Sequence, residues 1–377
     1  MQTELLELIR AEIGQRGPQS FSWFMEKALY HPQHGYYASG RAAMGRRGDY
    51  FTNVSVGPFF GRLLAAQFAE MWERIDKVGN FILVEQGAHH GEFALDVLEA
   101  ARDHSPEFFS AARYQIIEPS PILRDRQVRR LAGFADKVSW RKSLDDLAPF
   151  CGVHFSNELI DSMPVHLMIS TGDGWNEKIV DVTGESFVFA DRPIVDDAVR
   201  ARLERLPARP TGYETELNLA ALDWIDHLAA KLIRGYALMV DYGFPRDEFY
   251  APSRTVGTLQ VRARHRRLSG PFEQIGDADI SAHVNWTEIA GHAEVNGLRV
   301  GGFTDQHHFV AGIISELLRD KLGDDADPKA RRALQTLLHP EMLGRTFQVL
   351  ALQKDLDVRG PLSGFTFASD GRRALGI

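Results

Sequence analysis

The sequence predicts an α/β fold built on a doubly wound, mostly parallel sheet. Two observations predict it. Short apolar runs that end in polar residues recur along the chain, and a stretch with helical spacing follows each of the first two runs. An order of strand, helix and strand favours parallel neighbours, because the crossover helix returns the chain to the same end of the sheet. We expect a helical cap over residues 1–79, followed by a core over residues 80–377.

The first strand and helix are predicted between residues 81 and 102. Residues 81–85 form a short apolar run that ends in Glu85, which is typical of a buried strand. A turn containing Gly87 and Gly91 follows, and apolar residues then recur at helical spacing as far as Arg102. The predicted order is therefore strand, glycine turn and helix.

The same pattern predicts the rest of the sheet. An apolar run ending in Glu118 is followed by a helical segment over residues 122–131. Two longer stretches between predicted strands exceed what a simple crossover needs, and we expect these insertions, residues 167–234 and 242–296, to build the substrate side. The remaining predicted strands cover residues 152–156, 235–241 and 347–352.

Composition restricts the class of protein. The 377 residues are 44% hydrophobic and 25% charged, which is typical of a soluble globular chain. The net charge of −8 argues against a general nucleic-acid-binding protein. Cys151 is the only cysteine, so no internal disulfide can form and a reducing compartment is favoured. No apolar run reaches the roughly 18 residues of a membrane span, and we expect a cytoplasmic protein.

Ligand-binding residues are expected at the carboxyl ends of the strands, where an open α/β sheet leaves a crevice. The turn from Glu85 to Gly91 would let the backbone approach a ligand at a helix N-terminus, although glycines also mark turns that bind nothing. Glu118 ends the second strand, where a dinucleotide-binding fold places an acid on the ribose hydroxyls. Together the two strand ends favour a nucleotide-like ligand.

The third strand end carries more polar groups than a turn requires. Asn157, Glu158 and Asp161 stand within five positions of one another, shortly before Pro164. A helix N-cap would explain one of these acids. Two carboxylates beside an amide also suit a cationic nitrogen, because the planar guanidinium of arginine is satisfied by paired acceptors. The pattern favours an acceptor site for such a nitrogen.

Two histidine pairs and a run of arginines are the remaining candidates for a functional site. The pairs His89-His90 and His307-His308 do not have the spacing of a zinc motif, so we predict no metal. The basic run from Arg262 to Arg267 is the strongest cluster of charge. It is either a solvated loop or a surface that docks an acidic protein partner.

Several separated segments carry a resemblance to a known family, and they occur in the family's order. They are residues 24–37, 48–52, 85–91, 117–124, 157–166, 240–243, 257–260, His265 and 276–284. These segments resemble the MidA-like family of class I S-adenosylmethionine-dependent methyltransferases, the bacterial relatives of the mitochondrial complex I assembly arginine methyltransferase. The resemblance implies a Rossmann-like class I methyltransferase core and S-adenosyl-L-methionine as the methyl donor. In the mitochondrial relatives it implies methylation of arginine on a complex I subunit, so a protein substrate is expected here.

The resemblance also implies roles for individual residues. Asn157, Glu158 and Asp161 are implied to be catalytic and to face the accepting nitrogen, with Asp241 and Tyr242 at the next strand end. The residues implied to bind the donor are Asp49 and Thr52 in a lid segment, Glu85, Gly87 and Gly91 in the glycine turn, Glu118 on the ribose, and Asn157.

The glycine turn departs from the family pattern at two positions. His89 and His90 stand where the family has its middle glycine and an arginine. If the backbone at His89 has a positive φ, the histidine costs on the order of 1 to 2 kcal/mol in strain. Two alternatives to a protein methyltransferase therefore stay open: a binding or assembly protein with weakened catalysis, and a methyltransferase of small molecules.

Overall fold

The computed structural model describes residues 2–40, 53–264, 266–318, 328–339, 343–357 and 360–377. The helices in these ranges are α1 Gln2–Arg16, α2 Phe21–Tyr30, α3 Phe59–Arg74, α4 Glu92–His104, α5 Pro106–Ala111, α6 Pro121–Arg130, α7 Asp197–Leu203, α8 Leu219–Lys231, α9 Arg246–Phe249, α10 Trp286–Val295, α11 Gln306–Leu317, α12 Pro328–Leu338 and α13 Gly371–Leu375. The strands are β1 Gln19–Ser20, β2 Phe81–Gln86, β3 Ala112–Ile117, β4 Val138–Arg141, β5 Phe150–Asn157, β6 His166–Ser170, β7 Trp175–Thr183, β8 Ser186–Pro193, β9 Glu214–Leu217, β10 Leu232–Phe244, β11 Gln260–Ala263, β12 Arg266–Arg267, β13 Asp279–Ser281, β14 Val284–Asn285, β15 Arg299–Asp305 and β16 Phe347–Lys354.

The chain divides into two compact units. The insertion unit comprises Met1–Phe51, Ile160–Asp223 and Asp247–Val284. The core unit comprises Thr52–Leu159, Trp224–Arg246 and Asn285–Ile377. The division of the sequence into a cap over residues 1–79 and a core from residue 80 stays a prediction.

The core unit is built on a sheet with the strand order β15-β16-β10-β5-β2-β3-β4. The pairs from β10 through β5, β2 and β3 to β4 are parallel, whereas β16 is antiparallel to both of its neighbours. The predicted doubly wound, mostly parallel sheet is confirmed. The chain order reverses between β2 and β5, and this switch point is where such sheets bind ligands.

The predicted strands and helices of the core unit all occur. β2, β3, β5, β10 and β16 lie on the five predicted apolar runs, and α4 and α6 lie on the two predicted helical segments. Side chains of β2 are buried from Phe81 to Glu85, as a central strand covered on both faces requires. The sequence reasoning missed β4, whose residues are more polar, and β15, which contains two adjacent glycines.

The insertion unit contains two smaller antiparallel sheets. Strands β1, β7, β6 and β9 form one of them, with β8 paired to β7. The other has the order β12-β11-β13. Helices α1 and α2 contribute apolar side chains to a core that also includes Leu167, Val180 and Val261. The N-cap residue of α2 is Ser20, whose hydroxyl accepts a hydrogen bond from the Trp23 amide.

Among the described residues, no helix is both long enough and apolar enough to cross a bilayer.

Candidate active site

The turn after β2 has the backbone geometry that its glycines allow. Gly87 has a φ of +84° and Gly91 a φ of +81°, a region where a side chain is strained. Gly91 is the N-cap residue of α4, so the first amides of that helix face the turn. A Cβ added to Gly87 would lie 3.6 Å from Leu159 Cδ1 and 3.9 Å from the Asn157 carbonyl oxygen. The predicted turn therefore lies beside the predicted acceptor segment.

His89 stands at the position where a positive φ would strain the backbone. Its φ is +46°, so the left-handed backbone that would strain a histidine is present. Histidine tolerates this region better than most residues do, and its carbonyl oxygen accepts a hydrogen bond of 2.8 Å from Gln127 Nε2. The His89 and His90 rings pack with centroids 3.6 Å apart. Burial, followed by the charges of Arg126 and Arg130, lowers the pKa of His90 against the opposing effect of Glu92.

Glu118 follows β3 directly and is 7% exposed. Its Oε1 accepts a hydrogen bond of 2.8 Å from the Ser120 amide, and its Oε2 accepts one of 3.0 Å from Gln127 Nε2. Burial raises the pKa of this carboxyl to about 7, against the lowering effect of the two hydrogen bonds. The predicted ribose-binding acid thus titrates near neutral pH.

Gln127 joins the glycine turn to Glu118, and the sequence reasoning missed it. The side chain is fully buried on α6. Its Nε2 donates to the His89 carbonyl and to Glu118, while its Oε1 accepts a hydrogen bond of 3.0 Å from Trp140 Nε1. A glutamine on the buried face of a predicted helix was the available signal, since buried amides are normally hydrogen-bonded.

Glu85 lies within β2 and is 4% exposed. It accepts a hydrogen bond of 2.8 Å from the Tyr114 hydroxyl. Burial raises the pKa of Glu85 to about 8, so the carboxyl is mostly protonated at neutral pH. A neutral acid held by a neighbouring strand positions the end of β2. Its predicted contact with the donor stays a prediction.

Asn157 and Glu158 end β5 with an ordered pair of side chains. Asn157 Nδ2 donates to Glu158 Oε1 over 2.9 Å, and Asn157 Oδ1 accepts a hydrogen bond of 2.9 Å from Asn53 Nδ2. Glu158 has a φ of +53°, and its amide donates to the Val240 carbonyl over 2.9 Å. Backbone strain of this kind costs about 1–3 kcal/mol and is concentrated at functional sites.

Asp241 fixes the next strand end from a position that is 1% exposed. Its carboxylate accepts hydrogen bonds from the Leu159 amide, 3.1 Å, and from the Tyr242 amide, 2.8 Å. The aspartate therefore holds the loop after Glu158 in place.

Three further site residues were predicted, namely Asp49, Thr52 and Asp161. Asp161 belongs to the insertion unit, where it is 9% exposed and its carbonyl accepts a hydrogen bond of 2.8 Å from the Ala282 amide. Asp49 and Thr52 lie outside the described residues. Within the described ranges, no group of three or more histidine, cysteine or acidic side chains is placed to hold a metal ion.

Comparison with known proteins gives one consistent result. The sequence profile of a family described as S-adenosyl-L-methionine-dependent methyltransferase matches residues 63–304. A crystal structure of a protein from Burkholderia thailandensis bound to S-adenosyl-homocysteine is 33% identical, covers 97% of this chain and 95% of its own, and superposes with a TM-score of 0.86.

Curated relatives match over most of their length. The protein arginine methyltransferase NDUFAF7 homolog, mitochondrial, of Drosophila melanogaster is 25% identical over 92% of this chain and 84% of its own. Protein arginine methyltransferase NDUFAF7, mitochondrial, of Danio rerio is 24% identical over 96% and 92%. With the mostly parallel sheet and the glycine turn at its switch point, these matches show that the chain belongs to the MidA-like family of S-adenosyl-L-methionine-dependent methyltransferases.

Proposed function

We propose that the enzyme transfers the methyl group of S-adenosylmethionine to an arginine side chain of a protein substrate. The observation that most directly supports this proposal is the position of Glu158. This residue has a left-handed backbone conformation at the carboxyl end of β5, beside the glycine turn. The curated relatives named protein arginine methyltransferases support arginine as the acceptor.

The residues around the turn fit the donor. Gly87 and Gly91 leave their part of the turn without side chains, which lets a ligand approach the backbone. Glu118 offers carboxylate oxygens to ribose hydroxyls, which are hydrogen-bond donors. When bound, S-adenosylmethionine supplies an electrophilic methyl group.

Glu158 has the chemistry that a guanidinium acceptor needs. Arginine stays protonated at neutral pH, so a base cannot remove its proton in advance. A carboxylate can orient the guanidinium, concentrate its positive charge on the other nitrogens and accept a proton as the new nitrogen–carbon bond forms. Asn157 keeps Glu158 in place through its 2.9 Å hydrogen bond, because this contact restricts the carboxylate to one orientation. The predicted role of Asp161, which belongs to the insertion unit, stays a prediction.

The test is methyl transfer to arrayed peptides that contain one arginine each, with lysine-substituted counterparts and tritium-labelled donor. We expect label only in arginine peptides. Glu158→Gln should lower turnover by about 100-fold or more, because positioned acid–base groups contribute that much, while the affinity for S-adenosylhomocysteine changes only a few-fold.

Glu107→Gln is a matched control, because it removes the same charge from a side chain that is 79% exposed in the core unit. Label in the lysine peptides alone would contradict arginine as the acceptor. A fully active Glu158→Gln enzyme would remove Glu158 from the mechanism. A respiratory complex I subunit as the target and a cytoplasmic location stay predictions.

A further inference from the structure

Asn53 is a buried asparagine of the core unit whose side chain is not used as a helix cap. It directly precedes the 3₁₀ turn Val54–Val56, a position where asparagine side chains commonly accept hydrogen bonds from the amides that follow. Within the described part of the chain, no such capping bond forms. The side chain is fully buried, and its Nδ2 donates to Asn157 Oδ1 over 2.9 Å, across 104 positions of the sequence. The local backbone therefore does not explain why an amide is buried at this position.

Asn53, Asn157 and Glu158 form two consecutive hydrogen bonds with a fixed direction, here called the amide chain. Asn157 Nδ2 donates to Glu158 Oε1 over 2.9 Å. An ionised carboxylate accepts hydrogen bonds and donates none, so the nitrogen of the Asn157 amide has to face Glu158. The Asn157 oxygen then faces Asn53, which has to present its own nitrogen. The charge of Glu158 thus sets the orientation of both amides.

This direction leaves the oxygen of Asn53 without a donor. The atom is buried, and none of the described residues donates a hydrogen bond to it. A buried carbonyl oxygen without a donor lowers stability, and such groups are rare in native structures. An apolar side chain of similar size would avoid this cost if the position served packing alone. The hydrogen bond to Asn157 is therefore the contribution that distinguishes asparagine at position 53.

The Asn157 amide needs this partner because its shape does not fix its orientation. The oxygen and the NH₂ group of an amide are nearly the same size, so packing permits both orientations. A half-turn of the amide would place its oxygen against the Glu158 carboxylate, and two acceptors would then face each other. The hydrogen bond from the Glu158 amide to the Val240 carbonyl holds the backbone of Glu158 but not its carboxylate. The donor on Asn53 removes the second orientation of Asn157.

We propose that Asn53 is a positioning residue for methyl transfer, which fixes the Glu158 carboxylate through Asn157. The role rests on the proposed function, because Glu158 is assigned there to the methyl acceptor. A carboxylate that is already held in one orientation needs no rearrangement when the acceptor nitrogen arrives, and this lowers the barrier of the reaction. Asn53 acts only through its neighbour and contacts neither the donor nor the acceptor.

The amide chain is tested first by urea unfolding, which requires no methyl transfer. Asn53→Asp keeps the size of the side chain but replaces its donor by an acceptor, so it should lower the urea midpoint at about pH 8, where the introduced carboxyl is ionised. In a Glu158→Gln background, the Asn157 amide can turn, donate to the introduced carboxylate and accept from the introduced glutamine. The shift caused by Asn53→Asp should therefore be smaller in that background, by roughly half. An equal or larger shift overturns the proposal.

Turnover in the arginine-peptide assay tests the positioning role. Asn53→Ala should lower kcat by about tenfold, since loss of orientation at a reacting group has effects of this order, while the affinity for S-adenosylhomocysteine changes only a few-fold. In Glu158→Gln, adding Asn53→Ala should change the remaining turnover by less than about twofold, because residues that act through one another are not additive.

Asn296→Ala is a matched control. The Asn296 side chain also donates to a carboxylate of the core unit, Asp226, over 2.7 Å, and its removal should leave kcat unchanged. Three results overturn the positioning role: wild-type kcat in Asn53→Ala, the same loss in both backgrounds, or a loss of S-adenosylhomocysteine binding that parallels the loss of turnover. A wild-type enzyme that methylates no arginine peptide would refute the proposed function instead, and the unfolding comparison would still decide whether Asn53 holds Glu158.

Discussion

Binding of the methyl donor should depend on pH through Glu118. This carboxyl lies at the end of β3, and burial raises its pKa to about 7. Ribose hydroxyls donate hydrogen bonds, and a carboxylate accepts them better than a protonated acid does. The ionised form of Glu118 should therefore bind the donor more tightly, and affinity should rise as the pH increases through neutrality.

The magnitude follows from the fraction of Glu118 that is ionised. With a pKa of about 7, roughly one tenth is ionised at about pH 6 and roughly nine tenths at about pH 8. If only the ionised form binds well, the affinity for S-adenosylhomocysteine rises about tenfold between these two conditions. If the ligand also binds enzyme with protonated Glu118, the affinity would still rise with pH, but by less than tenfold.

Calorimetric titration with S-adenosylhomocysteine across this range measures the effect. Glu118→Gln cannot ionise, so its affinity should be weaker than that of the ionised wild type and nearly independent of pH. Glu85 titrates in a neighbouring pH range, with a pKa of about 8. Glu85→Gln therefore serves as the second control and should keep the rise of affinity with pH. A wild-type affinity that is flat or falls with pH would refute the reasoning, as would a rise that persists in Glu118→Gln.

Three further results are expected. Gln127→Leu removes three buried hydrogen bonds and should lower the free energy of unfolding by about 2–4 kcal/mol in urea titrations, whereas a loss below about 1 kcal/mol would contradict its bridging role. Gly87→Val forces a branched side chain onto a φ of +84° and should abolish S-adenosylhomocysteine binding in calorimetry, while Gly79→Ala, where an added Cβ meets nothing within 4 Å, should bind normally. The pKa of Glu85 is raised on folding from 4.5 to about 8, so its stabilising contribution is present below about pH 4.5 and is lost as the pH rises through about 8. The pH dependence of urea unfolding should be weaker in Glu85→Gln, and an unchanged profile would show that the buried acid is not its source.

The core sheet was predictable because its central strands are covered on both faces. Continuous apolar runs such as Phe81 to Glu85 have no other simple interpretation when a glycine turn and a helix follow. Edge strands lack this signal. β4 is four residues long, and β15 carries Gly301 and Gly302, so neither has an unbroken apolar run. The antiparallel strands of the insertions alternate buried and exposed residues only in part, as β7 does. They therefore cannot be predicted from continuous apolar runs.

The site could be predicted only as far as its residues lie at strand ends. Gly87, Glu118, Asn157 and Glu158 stand at the ends of predicted strands or within two positions after them, and the structure places them at one edge of the sheet. The hydrogen bonds that connect them join distant parts of the chain. Asn53 lies 104 residues before its partner Asn157, and no local pattern indicates such a pair.

Backbone conformation explains why the two histidines need not disable the donor turn. His89 and Glu158 both have positive φ values, and each such residue costs about 1–3 kcal/mol and persists only where its surroundings enforce it. Each residue is held by a hydrogen bond with a neighbouring element: Gln127 Nε2 donates to the His89 carbonyl, and the Glu158 amide donates to the Val240 carbonyl. Glycine at position 89 would relieve the strain but would add flexibility to the unfolded chain, which costs about 0.4–1 kcal/mol and offsets part of the gain. The turn can therefore hold a left-handed backbone with a histidine at that position, provided that Gln127 remains to hold it.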